Sequence, residues 1–192
     1  TKEDTQSKTL TCTLEKLPVA QIGENTYKNL NEAINSVKGT EETKITVLRD
    51  FQILEPQVSN TIETDKNIII DLNGNNITSV LENTIINKGN LKIVDSNTQK
   101  QGTITIDLAG SNSYVSGIVN ESTGKIEINN DISIVGKGVR SNTIKNEGEI
   151  TATNTKLSNN GTYVSSSSSA MRLILNDGVL NLNNTTVSNT AG

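Results

Sequence analysis

Apolar and polar residues alternate over short runs along most of this chain, and the runs are broken by Asn, Gly and Ser far more often than by Pro. The stretch TIINKGNLKIVDS (84–96) states the pattern: a short apolar strand ending in Asn, a tight turn carrying Gly, and a second strand of alternating residues. It returns as GIVNESTGKIEINNDISI (117–134), TIKNEGEITATNTKL (143–157) and LILNDGVLNLNNTTV (173–187). The strand-ending residues Asn87, Asn120, Asn146 and Asn176 stand 33, 26 and 30 residues apart. A repeat of this length built from strands alone predicts a β-solenoid, in which no unit buries its own apolar face and successive coils bury it against each other. A β-sandwich of short hairpins would also alternate, but it would give no reason for the Asn marker to return among similar neighbours.

Stacking of coils predicts columns of like residues about 4.8 Å apart. The expected columns are Ile86, Val119, Ile144 and Leu175 in one row and Ile93, Ile128, Ala152 and Leu182 in another. Asn at the corner is expected to tolerate left-handed backbone, with the following Gly relieving the turn, and its side chain is expected to bond to the Asn of the next coil. Strands are expected near 45–54, 67–72, 76–81, 84–87, 90–95, 102–108, 116–120, 125–129, 132–135, 143–146, 149–153, 171–175 and 179–182. The polar stretches 96–101, 109–116 and 159–170, the last with the run Ser165–Ser169, are expected as excursions from the stack.

The N-terminal quarter reads differently. Residues 1–18 form a polar segment with one strand near Thr9, in which Leu10, Cys12 and Leu14 share a face; Pro18 ends it. A strand from Val19 to Ile22 and a turn at Gly23 follow. Leu30, Ala33, Ile34 and Val37 then fall at i, i+3, i+4 and i+7, one stripe of a helix over 30–38. Asn29 suits its N-cap, Glu32 the third helical position, and Gly39 its end. One amphipathic helix ahead of a solenoid is expected to cover the open end of the stack, whose edge would otherwise invite pairing with other chains. The division expected is therefore 1–18, a cap over 19–44, and coils over 45–192.

The order strand, Tyr27, the Leu-x-x-Ala-Ile helix, Gly39, the strand Ile45 to Asp50 and then NIIIDLNGNNIT (67–78) resembles the N-terminal cap and first turns of right-handed parallel β-helix domains, the pectin-lyase-like fold. The resemblance runs from Val19 to the end and is greatest to the versions found in large surface proteins and adhesins of bacteria. It implies an all-β, right-handed, single-stranded parallel β-helix with one capping helix. It also implies a choice of functions, since that fold hosts polysaccharide lyases, hydrolases, phage tailspikes and non-enzymatic adhesins.

Composition narrows the choice. Apolar residues make up 32% and aromatics 2%, too little for a thick globular core but enough for thin columns of Ile, Leu and Val. The net charge is −4 with 17 scattered Lys and Arg, which argues against a nucleic-acid surface. There is no His, and the lone Cys12 has neither a disulfide partner nor metal-ligand companions. Lyases and hydrolases of the resembling fold need clustered carboxylates. Here the Asp residues stand singly, and Asp71 in DLNGN and Asp177 in NDG read as turn residues. No catalytic residue, metal ligand or cofactor is assigned. Thr-x-Thr occurs at Thr103–Thr105 and Thr151–Thr153, but Lys92, Glu127 and Asn181 interrupt any continuous array. Asn-x-Ser/Thr triplets at Asn76, Asn120, Asn160, Asn183 and Asn184 are expected by chance in so Asn-rich a chain.

The expectation is a non-enzymatic structural or adhesive segment of a bacterial cell-surface or secreted protein, monomeric, without membrane insertion, and cut from a longer chain. Its partner would be a glycan or a surface or matrix protein. The runner-up is a polysaccharide lyase or glycoside hydrolase-like domain with an incomplete site. Tyr114 and Tyr163 are the candidate ligand-binding residues, because both open a Tyr-Val-Ser stretch and two rings at matched corners could stack against a sugar face.

Overall fold

The computed structural model describes residues 17–54, 60–109, 114–138, 141–160 and 172–189. The expected strand near Thr9, with Cys12, lies outside them. A hairpin of β1 (Ala20–Ile22) and β2 (Asn25–Tyr27) is followed by helix α1 (Leu30–Ser36). The coils then begin with β3 (Thr43–Val47), β4 (Phe51–Ile53) and β5 (Asn60–Ile62). The second is β6 (Asn67–Asp71), β7 (Ile77–Ser79) and β8 (Ile85–Asn87), and the third β9 (Asn90–Val94), β10 (Thr103–Leu108) and β11 (Val115–Asn120). The fourth is β12 (Lys125–Ile128), β13 (Ser133–Gly138) and β14 (Ser141–Asn146), and the fifth β15 (Glu149–Thr153), β16 (Lys156–Asn159) and β17 (Arg172–Asn176). A last partial coil holds β18 (Val179–Asn183) and β19 (Thr186–Asn189).

From β3 on, each strand pairs in parallel with the strand three places on, so the coils stack into three sheets, the first of which is extended by the antiparallel β1 and β2. The first runs from β3 to β18, the second from β4 to β19 and the third from β5 to β17. The chain is thus all-β, a single-stranded parallel β-helix of five coils and part of a sixth.

The core is a set of in-register columns. In the first sheet Ile45, Ile70, Ile93, Ile128, Ala152 and Leu182 stack, which includes the expected row. In the second sheet Phe51, Ile77, Ile104, Ile134, Leu157 and Val187 stack. Burying each such side chain is worth about 1.5–3 kcal/mol relative to leaving it in water.

The other expected row was misplaced by one residue. Ile144 stacks with Ile85, Ile118 and Ile174 inside the helix, whereas Ile86, Val119 and Leu175 share an outward column with Lys145. The cause is the period of two: the marker Asn itself points inward, so the residue two before it does as well. The range 45–54 is two strands and not one, because the chain turns a corner at 48–50, where Leu48 N donates to Val19 O at 2.9 Å. β5, β16 and β19 were not among the expected strands; each is short and holds a single large apolar side chain, too little for a visible alternation. The expected excursion at 109–116 overlaps the start of β11.

The cap forms as expected and ends sooner. Asn29 Oδ1 accepts from Glu32 N at 2.8 Å, and Glu32 Oε2 accepts from Lys28 N at 3.2 Å, so two free donors at the helix start are satisfied. Val37 closes the helix at extended backbone with its N–H on Ile34 O. Leu30, Ala33, Ile34 and Val37 are all buried. α1 lies against the hairpin and against β5, the edge strand of the third sheet, while β1 pairs antiparallel with the edge strand β3 of the first.

Candidate functional site

The most ordered polar feature is the inner corner between the third and first sheets. Asn87, Asn120 and Asn146 are almost fully buried, and their amides form a ladder. Asn87 Nδ2 donates to Asn120 Oδ1 at 2.8 Å, Asn120 Nδ2 to Asn146 Oδ1 at 2.8 Å, and Asn146 Nδ2 to Asn176 Oδ1 at 2.6 Å. Each amide also reaches a carbonyl of the coil above, Lys125, Glu149 and Val179 in turn. The expected amide ladder is therefore present, but its backbone is not left-handed. Left-handed Asn residues stand elsewhere, at Asn73, Asn83, Asn130, Asn154 and Asn184.

The glycines of this corner likewise serve stacking and not turn conformation. A Cβ on Gly148 would land on the carbonyl oxygens of Gly124 and Glu121, and one on Gly178 on that of Gly148. Side-chain-free residues let the tight turns nest coil upon coil.

The carboxylates are spent on the opposite corners. Asp71 Oδ1 accepts from Ser96 N at 2.9 Å and Asn73 N at 3.0 Å, and Oδ2 faces Lys44 Nζ at 3.3 Å. Burial pushes the Asp71 carboxyl up, but the Ser96, Asn73 and Lys44 donors outweigh it and hold it below the usual carboxylate range. Asp95 accepts from Gly74, Asn97 and Gly102 N. Asp50 accepts from Asn76 N at 2.9 Å, which with smaller help from the Asn76 amide and Lys100 lowers its carboxyl too. Asp177 is an exposed turn residue whose N–H donates to Asn146 O at 2.8 Å.

A lowered native pKa means the unfolded state takes up protons more readily. The contribution of Asp71 is present above the unfolded carboxyl pKa, about 4, and is lost as pH falls through the lower folded value. The parent's stability to urea should therefore fall on acidification below about pH 4, and Asp71→Asn should show a shallower acid limb. An identical acid limb in the variant would mean that Asp71 does not titrate with folding.

The candidate ligand-binding residues are placed unequally. Tyr114 directly precedes β11 in the third sheet and is 66% exposed, while Tyr163 lies outside the described residues. The two Thr-x-Thr pairs belong to different sheets: Thr105 stacks between Thr78 and Val135, and Thr151 between Glu127 and Asn181. Asn120 is closed to glycosylation by its place in the ladder. Among the described residues no group of three or more His, Cys, Asp or Glu is placed to hold a metal ion, and no helix is long and apolar enough to cross a membrane.

What the fold and its corners define is a β-solenoid. No protein-family model, curated protein or solved structure matches the chain.

Proposed function

We propose that this chain is a non-enzymatic rod segment of an extracellular bacterial surface protein, of the pectin-lyase-like, adhesin type. It sets contact residues at fixed heights along its length for a glycan or a surface or matrix protein. The observation that carries this reading is that the best-ordered polar groups are spent on holding coil to coil. The amide ladder runs through four successive coils, and the Asp50, Asp71 and Asp95 carboxylates each accept backbone N–H groups of a neighbouring coil. A catalytic carboxylate needs a free lone pair aimed at substrate. Those three are engaged by backbone N–H groups and, at Asp71 and Asp50, by Lys44 and Lys100 as well. Tyr114, exposed at the start of β11, is the side chain we assign to partner contact.

The experiment is a glycan array together with a lyase assay on polygalacturonate, with and without Ca²⁺. The expected result is binding to one class of glycan, weakened by Tyr114→Ala at unchanged stability, and no unsaturated product. Product formation would favour the lyase or hydrolase reading, and binding indifferent to Tyr114 would remove that residue from the contact surface.

A further inference from the structure

The second coil passes from β6 to β7 through Leu72-Asn73-Gly74-Asn75, where Asn75 N donates to Leu72 O at 2.8 Å. Asn73 and Gly74 both have positive φ, 47° and 75°. That is a type I′ turn, which needs left-handed backbone at two successive residues and so favours Asn followed by Gly. The same dipeptide is the chemically weakest that an Asn can form. With no Cβ on the following residue to hinder it, the Gly nitrogen can close on the Asn side-chain carbonyl carbon. The other left-handed Asn residues, Asn83, Asn130, Asn154 and Asn184, are followed by Thr84, Asp131, Thr155 and Thr185, whose side chains crowd that approach. Asn73 is thus the weak point, and the next coil is built against it. Gly74 is buried, and its N–H donates to Asp95 Oδ1 at 2.8 Å. The Asp95 carboxylate is itself fixed, since it also accepts from Asn97 N at 3.0 Å and from Gly102 N. A Cβ on Gly74 would lie 2.7 Å from Asn97 Nδ2 and 2.9 Å from Lys100 O, so the turn of the third coil closes over this residue. Asn73 itself is only half-buried, which leaves its amide open to water.

We infer that Asn73 is a deamidation site held shut by Asp95. In the reaction the Gly74 N–H proton passes to hydroxide and the nitrogen bonds to Asn73 Cγ. The Cγ–Nδ2 bond then breaks, and ammonia leaves with a proton taken from water. Water opens the resulting five-membered imide at either carbonyl, which gives aspartate or isoaspartate at position 73. Asp95 opposes the first step in two ways. Its negative charge disfavours removal of the very proton it accepts, and its hydrogen bond fixes the Gly74 peptide plane so that the nitrogen does not swing onto Asn73 Cγ. Conversion therefore requires the turn at 72–75 to part from the turn at 95–102, a local opening of one coil from the next. The product keeps them parted. Isoaspartate routes the main chain through the side-chain carbon and lengthens it by one atom, which ends the type I′ geometry and the Gly74–Asp95 bond with it.

The experiment incubates the intact protein at mildly alkaline pH and follows the amide-to-acid mass shift of the peptide that contains Asn73, with isoaspartate identified by fragmentation. In the native parent Asn73 is expected to convert about tenfold or more slowly than in the same chain unfolded in urea. Asp95→Ala should raise the native rate about tenfold or more and leave the rate in urea unchanged. Leu157→Ala truncates a buried core side chain in the fifth coil, away from this turn, and controls for a general loss of stability. It should leave Asn73 nearly as slow as in the parent. The inference is overturned if Asn73 of the native parent converts at the rate seen in urea, or if Leu157→Ala speeds conversion as much as Asp95→Ala for the same stability lost. Should Asp95→Ala fail to fold, hydrogen exchange at Gly74 in the parent decides. Slow exchange together with slow conversion is expected, and fast exchange at Gly74 beside an unconverted Asn73 would overturn the role of the Asp95 bond.

Discussion

Asn120→Asp is expected to be among the most damaging single-atom changes this chain can undergo, with a loss of about 4 kcal/mol or more at neutral pH. Asn120 is completely buried, and its Nδ2 points at three oxygens: Asn146 Oδ1, Gly124 O and Glu149 O. The substitution turns that donor into a carboxylate oxygen facing three acceptors, while the other oxygen still accepts from Asn87 Nδ2. A buried charge is unpaired and its neighbours lose their donor. Such a carboxyl has its folded pKa raised above its unfolded value, so the variant regains stability as pH falls and loses it as pH rises through the folded pKa. The gap between variant and parent in urea unfolding should therefore narrow from pH 7 towards pH 4. Asn176→Asp, at the exposed end of the same ladder, should cost far less. Equal costs at the two rungs would show that the ladder contributes nothing through burial.

The ladder was readable in the sequence because a marker residue recurred at the spacing of a coil, and the columns of Ile, Leu and Val were readable because strands keep a period of two. The failures have physical causes. One row slipped by a residue because the Asn was read as a turn residue, when it is the last inward position of its strand. Gly148 and Gly178 were read as relieving the turn, when what they allow is the approach of the neighbouring coil, a constraint that exists only once the coils are stacked. β5, β16 and β19 went unseen because each owes its place to in-register neighbours more than to its own composition. The carboxylates illustrate the same limit at the level of function. Asp71 looks like a turn residue in sequence and Asp95 like a lone carboxylate at a strand end, and only the fold shows that each satisfies backbone donors from an adjacent coil. Tyr114 is where an exposed ring was anticipated, yet nothing in its local sequence says what it meets.

Ile34→Asp should test whether the coils depend on their cap. Ile34 is fully buried on the face of α1 that lies against β5, and Lys66 Nζ donates to the Ile34 carbonyl at 2.8 Å, so the next coil holds the helix end as well. A carboxylate at this position enters the apolar surroundings of a fully buried side chain. The expected loss is about 3 kcal/mol or more, a drop of roughly 10 °C in thermal midpoint for a chain of this size. Asn35→Asp, on the exposed side of the same helix, should cost about 0.5 kcal/mol or less and serves as the control. Because the stack is quasi-one-dimensional, losing the cap should also free the β5 edge for pairing between molecules before the distal coils unfold. Light scattering that rises ahead of the circular dichroism transition in Ile34→Asp, but not in the control, is the expected signature. A variant that melts at the parent's temperature without association would show that β1 and the first coil hold the end of the stack closed without the helix.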